Sequence, residues 1–147
     1  MIRKFLIVGL LTATGAVTAA AQSDPIAERK QLMKEMGNLW YGDVGRMNRG
    51  QAPYDQAKVT EVLNKMVETS KRFAALFPEN TKSGGNTLAL PAIWEKKDDF
   101  NARTAKLGAD ATAALASIKD EASFKAAQPG LNANCNQCHT PYRARAN

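Results

Sequence analysis

The chain reads as an all-α protein, an antiparallel up-down four-helix bundle, on three observations. Apolar residues recur at helical spacing in four separate stretches, no stretch alternates with the period of two that a half-buried strand needs, and only one connection, Pro78 to Leu90, is long and aperiodic. Helices of about 20–27 residues, rising 1.5 Å per residue, make rods about 30–40 Å long, and short connections make sequential rods antiparallel neighbours. There is no internal repeat and no sign of a second domain.

The first element follows Asp24 and Pro25, a capping residue and a first-turn proline. Ile26, Met33, Met36, Trp40 and Met47 then recur at spacings of seven, three, four and seven, one face of a helix over 25–49. A second helix begins at Pro53 to Asp55, carries Val59, Val62, Met66, Phe73 and Phe77 inward, and stops where Pro78 cannot continue it. The segment "PENTKSGGNTLAL" that follows has two adjacent glycines, two asparagines and no period. Pro91 opens a third helix with Ile93, Phe100, Leu107, Ala111, Leu115 and Ile118 facing the core. The last helix spans 121–145 with Phe124, Leu131, Cys135, Cys138 and Tyr142 on one side, and Pro129, Gly130 and Pro141 predict that it is not straight.

Residues 1–21 stand outside this bundle. "MIRKFLIVGLLTATGAVTAAA" has a basic start at Arg3 and Lys4, an apolar run and an A-x-A arrangement at Ala19 and Ala21, the pattern of a secretory signal peptide cleaved after Ala21. The run from Phe5 to Val17 is interrupted by Thr and Gly and falls short of the roughly 20 apolar residues that span a bilayer. Residues 22–147 form one domain of a size that builds a core without disulfide staples. Without Arg3 and Lys4 it carries 18 basic and 14 acidic residues, too mixed a surface for a nucleic-acid footprint. The expected location is the periplasm.

The chain concentrates its only two cysteines and its only histidine in five positions, Cys135, Asn136, Gln137, Cys138 and His139. In an oxidising compartment two free thiols so placed close into a disulfide unless other chemistry consumes them. A closed zinc site needs four ligands, and these residues offer three with no further Cys or His in the chain. A thioredoxin-type dithiol opens a helix after a strand, whereas this motif lies deep in the last helix of a strandless pattern. Covalent attachment of haem c needs C-x-x-C-H as it stands: two thiols a helical turn apart reach the two vinyl groups of one porphyrin edge, and the histidine beside the second thioether is aimed at the iron. The thiols are then consumed as thioethers, and export and motif support each other.

Only eight residues follow His139, none a methionine, which excludes the architecture with an N-terminal motif and a distant downstream methionine ligand. A C-terminal C-x-x-C-H on the last helix of a bundle resembles the class II c-type cytochromes, the cytochrome c′ family. The resemblance covers nearly all of the chain after residue 21. It includes "RKQLMKEMGNLW" in the first helix, "GQAPYD" before the second, "LFPENT" after it, "LPAIW" opening the third and "CNQCHTPYR" in the fourth, of which only the last is chemically specific.

His139 being the sole histidine, bis-histidine ligation is impossible. The sixth position of the iron holds methionine, a small molecule or nothing, and the methionines beyond residue 21 are Met33, Met36, Met47 and Met66. Met33 follows Arg29 by one helical turn on the same face. The resemblance implies that Arg29 lies near a haem propionate and that Met33 faces the distal side of the iron. In the family's low-spin branch that residue is the ligand; in its high-spin branch it covers an open site. Two functions follow: one-electron transfer between periplasmic redox proteins by a Met/His-ligated iron, or binding of nitric oxide or carbon monoxide at a five-coordinate iron. Arg143, one turn beyond His139, is expected near the proximal imidazole, with a solvated surface arginine as the plain alternative. The resemblance also implies homodimerisation through the first two helices, where Leu32 and Leu39 lie beside the core stripe. An enzyme is not expected: there is no distal histidine, and Glu35, Asp43, Glu61 and Glu68 read as solvated helix faces.

Overall fold

The computed structural model describes residues 24–145, and the segment read as a signal peptide lies outside them. Four helices form the expected antiparallel bundle, and no strand occurs among the described residues. Helix α1 covers residues 25–48 as three continuous pieces, Pro25–Gly37, a π-helical Asn38–Val44 and Gly45–Asn48. Helix α2 is Gln56–Phe73, prolonged by the 3₁₀ turn Ala74–Leu76; α3 is Lys97–Ser117; α4 is Glu121–Tyr142.

Three of the four starts are capped by aspartate, which accepts from backbone N–H groups that a helix leaves without partners. Asp24 accepts from Ile26 N at 2.9 Å. Asp55 accepts from Ala57 and Lys58, so α2 begins at Gln56, just after the predicted Pro53 to Asp55. Asp120 and Ser123 form a reciprocal capping box at α4.

The structure departs from the predicted elements at three places. The wider turn over Asn38–Val44 follows Gly37, and Val44, one turn beyond Trp40, joins the core at 1% exposure. The third helix is interrupted: a single turn, Ala92–Glu95, ends at Lys96, whose φ of −123° and ψ of 49° break the helix before α3 resumes. The last helix passes through Pro129 and Pro141 but stops at Tyr142, three residues short of the expected end, where Arg143 becomes extended.

The core has two parts. One joins Met36, Trp40, Val44, Met47, Val59, Val62, Leu63, Met66, Ala111, Ile118, Phe124 and Leu131. The other is an aromatic group of Phe77, Ile93, Phe100 and Tyr142, with Phe77 and Phe100 packed edge to face at 4.8 Å between centroids. Leu32 is buried within its own bundle and Leu39 packs on the first core, so Leu32 offers no surface to a second copy.

The 78–91 connection, predicted without structure, is built. It contains the 3₁₀ turn Glu79–Thr81, and its far end forms an antiparallel bridge, Ala89 with Arg143. Leu90 N donates to Tyr142 O at 3.0 Å and Ala144 N to Leu88 O at 2.8 Å. Gly85 has a φ of +58°, and a Cβ there would lie 2.8 Å from Ile26 Cγ2. Gly85→Ala is therefore expected to lower stability by about 1–2 kcal/mol from the left-handed backbone alone. Gly130→Ala, on a helix with nothing within 4 Å of the new methyl, is expected to raise it by up to about 1 kcal/mol. Urea unfolding midpoints of the two variants should move in opposite directions.

Candidate functional site: a cavity beside the C-x-x-C-H turn

Several residues of the predicted apolar stripes are only half-buried, and they share a location. Met33, Phe73, Leu107, Cys135 and Cys138 all line one cavity of about 1020 Å³, at the upper end of the roughly 300–1,000 Å³ usual for ligand sites. Their positions match the helical period; Leu107 and Cys135 pack on the first core and Phe73 and Cys138 on the aromatic one, and each also presents part of its side chain to the cavity.

Cys135, Cys138 and His139 project from α4 into this cavity, and Met33 lines it from α1. Met36 and Met66 also touch it, but both belong to the packed core, with Met66 at 0% exposure; Met47 is in the core and does not reach it. Met33 alone of the four lines the cavity without being a core residue. Arg29, Lys30, Lys34, Arg103 and Arg143 contribute cations to the lining, and no Asp or Glu does. The carboxylates Glu35, Asp43, Glu61 and Glu68 lie elsewhere.

The turn bearing the motif is tied to its neighbours at four points. Trp40 Nε1 of α1 donates to Asn132 Oδ1 at 3.3 Å. Asn134, buried, donates to Asp110 Oδ2 of α3 at 2.8 Å. Arg103 donates to the carbonyl of Gln137 at 3.0 Å, and the Tyr142 hydroxyl donates to Asp99. Asn132, Asn134, Arg103 and Asp99 carried no signal in the sequence: Asp99 and Arg103 look like an ordinary (i, i+4) surface pair, and their partners on α4 lie more than thirty residues away.

Burial and, secondarily, the charge of Arg143 hold His139 below the usual histidine range, which favours the neutral imidazole a metal needs. Arg143 itself is exposed at the cavity rim, and its backbone N–H donates to His139 O at 3.0 Å. Burial pushes both thiols up, opposed by Tyr41 at Cys135 and by Arg103 at Cys138.

Arg29 is 3% exposed and lines the cavity, yet its guanidinium is directed at the connection. Nη1 donates to Leu76 O and Thr81 Oγ1, both at 3.0 Å, and Nη2 to Thr81 O at 3.1 Å and Thr87 Oγ1 at 2.8 Å. Its carbon also stands 4.5 Å from the centroid of Phe77. All four Nη hydrogens are thus engaged, leaving the Nε–H and the net charge for any propionate.

Two thiols a turn apart, a neutral imidazole beside the second, an apolar cavity and a cationic lining free of carboxylates fit a porphyrin with acidic side groups. The family model described as Cytochrome C′ matches residues 24–143. The chain belongs to the cytochrome c′ family. It is 46% identical over 135 residues to a cytochrome c′ of Rhodopseudomonas palustris, covering 92% of each chain. It is 37% identical over 132 residues to a cytochrome c-556 of Agrobacterium fabrum, covering 89% of this chain and 86% of that one. A solved structure of cytochrome c′ from Rhodopseudomonas palustris superposes with a TM-score of 0.82 at 46% identity, over 86% of this chain and all of the other.

As a cytochrome c′ family member the protein carries covalently attached haem c, and it is a c-type cytochrome electron carrier. No helix among the described residues is long and apolar enough to cross a membrane. Arg29→Ala is expected to cost about 2–4 kcal/mol, because buried acceptors lose their donors, and to speed amide exchange across residues 81–90. Hydrogen exchange on the purified holoprotein, with the urea midpoint, checks both.

Proposed function

We propose that the protein is a periplasmic one-electron carrier whose haem iron is held by His139 on one side and the thioether of Met33 on the other. The observation that carries this reading is the singular placement of Met33: a half-buried cavity residue of α1 where Met36, Met47 and Met66 are core residues. The bound haem supplies the ferric–ferrous couple, and a methionine ligand raises its potential.

The chain's own residues do the rest. Cys135 and Cys138 form thioethers by adding their S–H across the porphyrin's vinyl groups. His139 stays neutral in its half-buried site. Arg29 and Arg143 offset propionate charge and bias the proximal imidazole, the first through its charge and Nε–H. Export by residues 1–21 delivers the chain to the periplasm, where redox proteins are its partners. The family's homodimer belongs to the same reading, with a seam on the first two helices that does not use Leu32.

Mass spectrometry of the exported protein should show a chain beginning at Gln22 with one haem added, and the haem should survive acid–acetone extraction. Cys135→Ser with Cys138→Ser should make it extractable. Haem released from the wild type would count against thioether linkage.

Optical and EPR spectra decide the ligand. Low-spin ferric signals that are lost in Met33→Ala, with carbon monoxide binding slow in the reduced wild type and fast in the variant, are the expected result. A high-spin wild-type spectrum with fast carbon monoxide uptake would overturn it, making Met33 a lid over a five-coordinate iron that binds nitric oxide or carbon monoxide.

A further inference from the structure

Proline at position 141 lacks the N–H that an α-helix directs at the carbonyl four residues earlier, here that of Gln137. Helix α4 nevertheless continues through it to Tyr142. The carbonyl of Gln137 accepts instead from Nη1 of Arg103, on α3, at 3.0 Å. Among the described residues no side chain donates to the carbonyl of Lys125, which Pro129 releases in the same way. The substitute bond is found at the turn that bears the motif.

Arg103 is itself held. Its Nε donates to Asp99 Oδ2 at 2.6 Å, one turn earlier on α3. The same oxygen accepts from the hydroxyl of Tyr142, whose buried ring stands edge-on to Phe100 at 5.4 Å between centroids. Two attachments from α3 therefore bracket His139, one at Gln137 and one at Tyr142. A helix end with unpartnered carbonyls frays, and the angle of a ligating imidazole depends on what fixes the turn that carries it as well as on its own ring contacts.

We propose that Arg103 is a positioning residue for the haem ligand: its guanidinium replaces the N–H that Pro141 lacks and, anchored by Asp99, sets the orientation of His139 toward the iron. This rests on His139 being the axial ligand. It does not depend on what occupies the opposite side.

A double-mutant cycle on the holoprotein separates this role from the charge of Arg103. Arg103→Lys keeps the cation but cannot supply the forked Nε and Nη1 bonds. Pro141→Ala restores the N–H to Gln137. The readouts are the reduction potential, the hyperfine-shifted NMR signals of the His139 ring, and amide exchange at Cys138, His139 and Thr140.

With Pro141 present, Arg103→Lys is expected to shift the His139 signals and the potential and to speed exchange by about tenfold, the size of one lost charge-assisted bond. In the Pro141→Ala background the same substitution is expected to leave all three unchanged. Equal shifts in both backgrounds, no shift in either, or faster exchange with unchanged His139 signals would each overturn the proposal. Ligation is read separately: isotope labelling that found no hyperfine-shifted signal from His139 in the wild type would remove the axial-ligand reading itself, while the exchange cycle would still report on the Gln137 bond.

Discussion

Three groups borne by five consecutive residues must meet one planar, rigid partner, and that geometry works only if the stretch of helix carrying them is held still. Residues 132–142 are accordingly gripped from two sides. Trp40 of α1 takes Asn132, and Asp110, Arg103 and Asp99 of α3 take Asn134, Gln137 and Tyr142. Polar bonds of this kind are modest individually, on the order of 1 kcal/mol each. Their value lies in direction: apolar packing alone sets how close two helices come, whereas these bonds also set the rotation of α4 about its axis, and with it the aim of Cys135, Cys138 and His139.

The connection between the second and third bundle helices solves a related problem at the cavity edge. A thirteen-residue aperiodic stretch would ordinarily be a solvated loop. Here Arg29 gathers Leu76, Thr81 and Thr87 around one buried guanidinium, while Leu88 to Leu90 pair with Tyr142 to Ala144. The strap thereby joins the start of α1 to the end of α4, and Thr87, Leu88 and Ala89 become part of the cavity wall. A buried cation is tolerable because its four Nη hydrogens are bonded and an aromatic face, Phe77, lies against it.

Packing and function divide the apolar stripes between them. Along each helix the period selects one face, but part of that face serves the core and part serves the cavity. On α1, Met36 and Trp40 are core while Met33 is not; on α4, Phe124 and Leu131 are core while Cys135 and Cys138 are half-buried at the cavity. The close approach of α2 and α3 at Gly108, where a Cβ would lie 2.1 Å from Ser70 Oγ, draws those two helices together.

Much of this was legible in the sequence for a physical reason: helical period, aspartate caps and the C-x-x-C-H spacing are local, each complete within a few residues. The all-α bundle, its four-helix order, the haem and the family follow from such signals. The period could not say which inward residues meet protein and which meet the cavity, because both are apolar and both face inward. Nor could it place the break at Lys96, the wide turn at Asn38–Val44 or the early end of α4 at Tyr142, beyond which Arg143 is extended and pairs with Ala89. Above all, the partners of Arg29 and Arg103 lie roughly thirty to sixty residues away in the chain, a separation that leaves no local trace. A charged side chain on a helix reads as solvated until the tertiary structure brings an acceptor to it; chain folding alone decided that Arg29, buried, and Arg103, half-exposed, fasten the site.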